Sequence, residues 1–321
     1  MSKIVNLKQY DLAFTTSFAC LHGLSGHLYE LIDYYYICST NNIKSAILLA
    51  DGTTKEMFMN AVKFKYNFTE DELASIDNHT LECASPKIII ANNLCIVDGS
   101  CRLRSCVVYA DNVFLLRCSE TEFSYFHKHK TIKHAHVMQD FNLYPERYED
   151  LDIAVVDYVK KILWQKYHQP NLVKTNTALL YLTTNCRALP VEDVVEIMGR
   201  YEFENYVILT DRVDRYISLE SSNVKVIQGP IQNIFEVFDV YLYTKIIIPP
   251  EWAYNKPEDC SPRFIVECAV FGKDVIYDLD YIDMGVECRK LMIEKDVNSL
   301  KLTGQDFFIK YVREQMELTD D

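Results

Sequence analysis

Glycine is scarce in this chain, at 9 of 321 residues. A bare backbone approaches phosphate most easily, so glycine-rich phosphate loops are thin here. No stretch approaches the ~20 continuous apolar residues that a membrane span needs. The opening Met-Ser-Lys-Ile-Val-Asn-Leu-Lys-Gln-Tyr-Asp lacks the apolar core of a secretory leader. The 11 cysteines are odd in number, scattered and free of any CxxC pair. That pattern argues against a disulfide frame and against zinc, and for reduced thiols. Positive charge is also short: 33 Lys+Arg stand against 46 Asp+Glu, a net charge of −13, so nothing pulls the whole molecule toward nucleic acid or anionic lipid. The expectation is a cytoplasmic protein with no membrane partner.

What remains is typical of a folded protein, 49% hydrophobic and 25% charged. A chain of this length suggests two domains of ordinary size. Strand patterns over residues 10–18, 45–50, 87–92 and 106–117 alternate with helical ones over 27–39, 55–62 and 150–167, and residues 136–144 read as extended. Residues 168–176 are polar, contain Pro170 and break the rhythm, which places a linker there. Beyond it the alternation restarts: strands over 177–182, 206–210, 224–227, 245–248 and 274–278, with helices over 190–200, 231–240 and 263–271. Residues 304–316 form a last helix with no strand after it. The fold class is therefore α/β, two Rossmann-like domains with parallel sheets, and right-handed crossovers follow. The expected boundaries are 1–168, 169–300, and a closing helical segment 301–321.

The most informative stretch is 257–279. Ser261 suits a helix N-cap and Pro262 the first helical position, where a missing N–H costs nothing. Arg263 and Glu267, four apart, share one helix face, and Gly272 ends the helix before a buried strand. A helix start bearing an arginine suits an anion, and a glutamate one turn on can accept hydrogen bonds from a ribose diol. An ordinary helix–Gly–strand unit accounts for the same residues. Upstream, Thr183-Thr-Asn-Cys-Arg187-Ala-Leu-Pro190 joins the first strand of the second half to a helix start, with Arg187 able to hold a diphosphate or to be a plain surface arginine. Arg102, Arg104, Arg117, Lys128, Lys130 and Lys133, with histidines 127, 129, 134 and 136, concentrate positive charge in the first half. A solvated loop or a rim for an anionic acceptor both fit them.

The 257–279 segment resembles the nucleotide-sugar motif near the end of GT-B glycosyltransferases. The loop bearing Arg187 is similar to the diphosphate-binding loop of phage DNA glucosyltransferases, without the usual glycines. Phe141-Asn-Leu-Tyr144-Pro145-Glu-Arg-Tyr148 looks like the aromatic stretch that closes their first domain. Arg263 and Glu267 resemble that family's arginine–glutamate pair, at a spacing of four rather than three. The resemblance covers about half the chain, mostly its second half. It implies a GT-B layout, two domains facing a cleft, with the last helix returning to the first domain. It implies a nucleotide-sugar co-substrate, a UDP-sugar, with no tightly bound cofactor and no indicated metal. Arg187, Gly229, Arg263 and Glu267 would bind the donor, Gly229 within the Gln228-Gly229-Pro230 loop that reads the base, although a mere turn explains that loop equally well. An inverting transfer would need a base in the first domain. Glu120 matches the family's catalytic carboxylate, and His22 and His27 flank the loop after the first strand. The implied acceptor is a hydroxymethylated pyrimidine in double-stranded phage DNA, in the host cytoplasm, with Arg102, Arg104, Lys128, Lys130 and Lys133 meeting phosphates. The acidic total charge favours a saccharide or small-molecule acceptor instead, and an inert two-domain nucleotide binder remains open.

Overall fold

The structure, a computed structural model, describes residues 3–16, 26–50, 52–97, 106–116, 166, 176–182, 190–210, 212–228, 245–248, 274–277 and 303–316. The chain divides into two compact units, Met1–Tyr167 with Lys301–Asp321, and His168–Leu300.

In the first unit the order is β1 (Ile4–Asn6), β2 (Leu12–Thr16), α1 (Gly26–Thr40), β3 (Ser45–Leu49), α2 (Lys55–Lys65), α3 (Glu70–Asn78), β4 (Thr80–Glu82), β5 (Ile88–Ile90), β6 (Asn93–Val97), β7 (Val107–Tyr109) and β8 (Asn112–Leu116). Its main sheet runs β4-β3-β2-β6-β8 with every pairing parallel. Strands covered on both faces cannot alternate polar and apolar residues. β2, β3 and β6 accordingly read LAFTT, SAILL and NLCIV and are buried throughout. A second sheet, β1-β5-β7, is parallel as well, and its middle row (Val5, Ile89, Val108) faces the core beside Leu94 and Ala46.

Local chemistry starts the helices. Gly52 takes φ +99°, a left-handed turn that glycine adopts without cost, just ahead of α2. Thr54 then caps α2 by accepting the Met57 N–H at 3.2 Å. α3 opens on a reciprocal capping box: Thr69 Oγ1 accepts from the Glu72 N–H at 3.3 Å, and Glu72 accepts from the Thr69 N–H at 2.8 Å.

The second unit holds β9 (Thr177–Leu182), α4 (Val191–Arg200), β10 (Asn205–Thr210), α5 (Val213–Tyr216), β11 (Val224–Gln228), β12 (Lys245–Ile248) and β13 (Asp274–Tyr277). These strands form one parallel sheet, β11-β10-β9-β12-β13. α4 buries Val194 and Ile197 against Ala178, Leu180 and Ile208. Its last turn is closed by the Tyr206 hydroxyl, 2.7 Å from the Met198 carbonyl and 2.6 Å from that of Tyr201, which satisfies carbonyls left without helical donors.

The closing helix α6 (Thr303–Met316) belongs to the first unit. Phe308 and Val312 are fully buried, and the Phe308 ring lies 5.0 Å from that of Tyr34 on α1. Arg313 Nη2 donates to the Asn41 carbonyl at 2.8 Å, and Asn112 Nδ2 donates to the Gln315 carbonyl at 3.2 Å. The return of the last helix to the first domain is thus seen in side-chain contacts.

Three differences from the sequence reading stand out in the first unit. The apolar run at 87–92 is a strand, but of the smaller sheet; the main-sheet strand is its unexpected neighbour β6. α3 was not expected, because EDELASIDN is mostly polar and buries only Ile76. The short β1 and β4 were also unexpected. The extended stretch at 136–144 and the helices expected over 150–167 (Lys166 apart), 231–240 and 263–271 lie outside the described residues.

Candidate functional site

In an open parallel sheet, ligands sit beyond the carboxyl ends of the strands, where the connections diverge. Both sheets have one such point. In the first unit the chain passes from β2 outward to β3 and β4, then returns to β6 and β8 on the other side. In the second it runs from β9 to β10 and β11, then to β12 and β13 across β9. The two divergence points lie between β2 and β6 and between β9 and β12.

At the first, β2 ends in Thr15 and Thr16, both fully buried, and Thr15 Oγ1 donates to the Leu48 carbonyl at 2.9 Å. Residues 17–25 follow, with His22 among them, and they lie outside the described residues; His27 falls in the first turn of α1, described in its backbone alone. Glu120, Arg102, Arg104, Lys128, Lys130 and Lys133 lie outside the described residues too.

At the second point β9 ends at Leu182, and residues 183–189, which carry Arg187, connect it to α4. Arg187, Gly229, Arg263 and Glu267 are outside the described residues; Arg263 and Glu267 fall between β12 and β13 in the chain. The start of α4 is described. Pro190 makes no side-chain cap, and Glu192 and Asp193 occupy the first turn. Carboxylates there complement the helix dipole and oppose a phosphate at the same spot. On the other side of β9, Thr210 ends β10 fully buried, and its hydroxyl accepts the Arg212 N–H at 3.0 Å. Arg212 and Arg215, exposed at this edge, were not singled out from sequence, although the loop after Thr210 is one that the sheet aims at a ligand.

Other polar clusters are structural. Tyr35 Oη lies 2.7 Å from His79 Nδ1 and 3.1 Å from Ser75 Oγ, with the Tyr10 ring edge-on to His79 at 5.9 Å. Burial pushes the Tyr35 phenol above its usual range, against the hydrogen bond from Ser75. Tyr10 lies two residues before β2 and His79 directly before β4, so this cluster sits at the amino ends, away from the carboxyl edge. Lys166 Nζ lies 2.9 Å from Glu72, which also accepts from Tyr36 Oη at 3.1 Å. Burial works to raise the Glu72 carboxyl, but hydrogen bonds from Lys166, the Thr69 N–H and Tyr36 outweigh it and hold it below the usual range. Burial pushes the Cys38 thiol up to about 12 and Cys106 to about 11, so neither supplies a thiolate at neutral pH. Among the described residues no three His, Cys, Asp or Glu side chains gather as a metal site. None of the described helices is long and apolar enough to cross a membrane.

No protein-family model matches the chain, and no curated protein matches it. Solved structures do resemble it. The S. aureus MnaA–UDP co-structure superposes with a TM-score of 0.50 at 7% identity, over 97% of this chain and 98% of that one. UDP-GlcNAc 2-epimerase from Neisseria meningitidis bound to UDP-GlcNAc gives 0.47 at 10% identity, over 94% and 100%. The Methanocaldococcus jannaschii UDP-GlcNAc 2-epimerase in complex with UDP-GlcNAc and UDP gives 0.46 at 11%, over 94% and 99%. At such identities the likeness is one of fold. The chain has a GT-B-like fold of two Rossmann-type units built on parallel sheets.

Proposed function

We propose that this protein is a glycosyltransferase that moves a sugar from a nucleotide-sugar donor, first of all a UDP-sugar, to a hydroxyl acceptor. The observation that carries the reading is the parallel order β11-β10-β9-β12-β13, whose connections diverge beside β9, the strand that the segment bearing Arg187 follows in the chain. Arg263 and Glu267 precede β13 of the same sheet. Three chemically apt residues thus belong to connections of one sheet, Arg187 and Arg263 for diphosphate and Glu267 for ribose, with Gly229 after β11 at the base. The UDP of the S. aureus MnaA structure makes UDP the first nucleotide to test.

On this reading Glu120 is the general base of an inverting transfer, with His22 and His27 as the other candidates. The proposed acceptor is a hydroxymethylated pyrimidine in double-stranded phage DNA, held through Arg102, Arg104, Lys128, Lys130 and Lys133. A specific observation favours a second acceptor class. α2, α3 and β4 display exposed Glu56, Glu70, Asp71 and Glu82, and the net charge is −13. That acidic face and the acidic total disfavour a polyanion there and suit a saccharide or small-molecule acceptor.

Thermal-shift screening of nucleotide sugars, followed by mass spectrometry of reactions with hydroxymethylated duplex DNA or with saccharides, tests both levels. A shift with UDP-sugars and a mass gain of one sugar on the acceptor is the expected result. An altered free sugar nucleotide without any transfer makes the protein an isomerase and refutes the transferase. No stabilisation by any nucleotide sugar leaves an inert two-domain protein.

A further inference from the structure

β10 lies beside β9 with Leu209 opposite Tyr181 and Thr210 opposite Leu182. The two strands therefore end level, and the chain leaving each starts about 4.8 Å from the other. After β9 come the residues leading to Arg187; after β10 come Asp211, Arg212, Val213, Asp214 and Arg215. The backbone of this second connection is pinned at both ends by buried groups. Thr210, fully buried, accepts the Arg212 N–H at 3.0 Å. The Arg212 carbonyl accepts the Arg215 N–H at 3.1 Å, and the next residue, Tyr216, is fully buried in the unit's core.

Both arginine side chains are exposed on this fixed base. The Arg215 guanidinium lies 6.0 Å from the Tyr216 ring, and among the described residues neither guanidinium has an ion-pair or hydrogen-bond partner. Arg212 is the non-helical N-cap of α5 and Arg215 its third residue, so the two bound a single turn closed by the bond from the Arg215 N–H to the Arg212 carbonyl, with exposed Asp214 between them in sequence. The rest of the described edge offers phosphate nothing positive: α4 begins with Glu192 and Asp193, and β11 ends in neutral Gln228. Two planar guanidiniums, each a rigid fork of donors, suit the oxygens of a diphosphate.

We infer that Arg212 and Arg215 form an anion subsite for the diphosphate of the nucleotide sugar, at the carboxyl edge of the second sheet beside the connection that carries Arg187. The inference rests on the nucleotide-sugar reading and adds to it two residues that the sequence motifs did not single out. It also accounts for how a chain this poor in glycine holds phosphate: fixed cations replace a bare backbone.

Calorimetry with UDP and with uridine, on the full chain and on the double variant Arg212→Gln/Arg215→Gln, tests it. Loss of charge-assisted contacts predicts UDP binding about tenfold weaker or more, with uridine affinity kept and a shallower dependence of UDP affinity on salt. Arg212→Lys should recover part of the loss, since charge survives without the fork. Equal UDP affinity in the double variant and the native chain overturns the subsite and leaves the nucleotide reading standing. A matching loss for uridine overturns it as well, because the pair would then act through the fold. Native protein that binds UDP no better than uridine removes both the subsite and the diphosphate role proposed for Arg187 and Arg263.

Discussion

Replacing Phe308 with alanine removes the ring that holds α6 against α1. The residue is fully buried and its ring centroid stands 5.0 Å from that of Tyr34. A buried Phe covers ~150–250 Å², of which alanine forfeits about 100–150 Å². At about 25 cal/mol per Å² this is roughly 2.5–4 kcal/mol of lost transfer free energy. The cavity left behind and the lost ring pair bring the cost to about 3–5 kcal/mol. Phe308→Leu keeps most of the apolar bulk and should cost roughly 1–2 kcal/mol. The two tryptophans, Trp164 and Trp252, belong one to each unit by number. Urea unfolding followed by fluorescence in a Trp252→Phe background therefore reports the first unit, and in a Trp164→Phe background the second. The expected outcome is an earlier transition for the first unit, with the alanine variant shifted well beyond the leucine one and the slope unchanged. A loss below about 1 kcal/mol for Phe308→Ala would refute the docking, since no well-packed phenylalanine is that dispensable.

Arg263→Ala and Glu267→Ala should each weaken UDP binding by about 1.5–3 kcal/mol in calorimetry, the worth of a charge-assisted hydrogen bond; unchanged affinity in both removes them from the donor site. Glu120→Gln should keep donor affinity while lowering turnover by about 10²–10⁴-fold, because the amide keeps the shape but takes no proton; NMR of the product's anomeric centre must then show inversion. The pair Glu72–Lys166 predicts a pH dependence with two limbs. Glu72 is held below its ordinary value, so its contribution is present above about pH 4.3 and is lost as pH falls through the lower folded value. Lys166 is raised, chiefly by its hydrogen bond to Glu72, so its contribution is present below about pH 10.4 and is lost as pH rises through the folded value. The difference in stability between native protein and Lys166→Met, measured across pH, should be greatest between those limits, and a flat difference would contradict the assignment.

Where hydrophobic pattern and strand burial coincide, the sequence alone was enough. β9 and β12 match the expected 177–182 and 245–248, and α1, α4 and α6 differ from expectation by a residue or two at most. Those segments are long or uniformly apolar, and their punctuation (Pro190 ahead of α4, polar residues at 168–176) is local chemistry. The α/β alternation in two halves followed from them, while the GT-B layout was implied by the resemblance of 257–279 and of the loop bearing Arg187 to known glycosyltransferases. Between β5 and β6 the apolar pattern was incomplete as a guide: Ile88–Ile90 forms the expected strand, but on the smaller sheet and with Ile88 and Ile90 only half-buried. The main sheet instead takes Asn93–Val97, whose leading Asn93 is buried because its amide donates to the Asp11 carbonyl at 2.7 Å and its carbonyl oxygen accepts from Asn112 at 2.7 Å. Partners 82 and 19 residues away settle that choice, and no local window contains them. α3 was legible in principle through its Thr69–Glu72 capping box, a helix signal that owes nothing to apolar period. The site divides in the same way. Arg187, Arg263 and Glu267 were picked out by residue type beside expected helix starts, which is local information. Arg212 and Arg215 gain meaning only from strand order, because what sets them next to the connection after β9 is the parallel pairing of two strands that a 22-residue excursion separates in the chain.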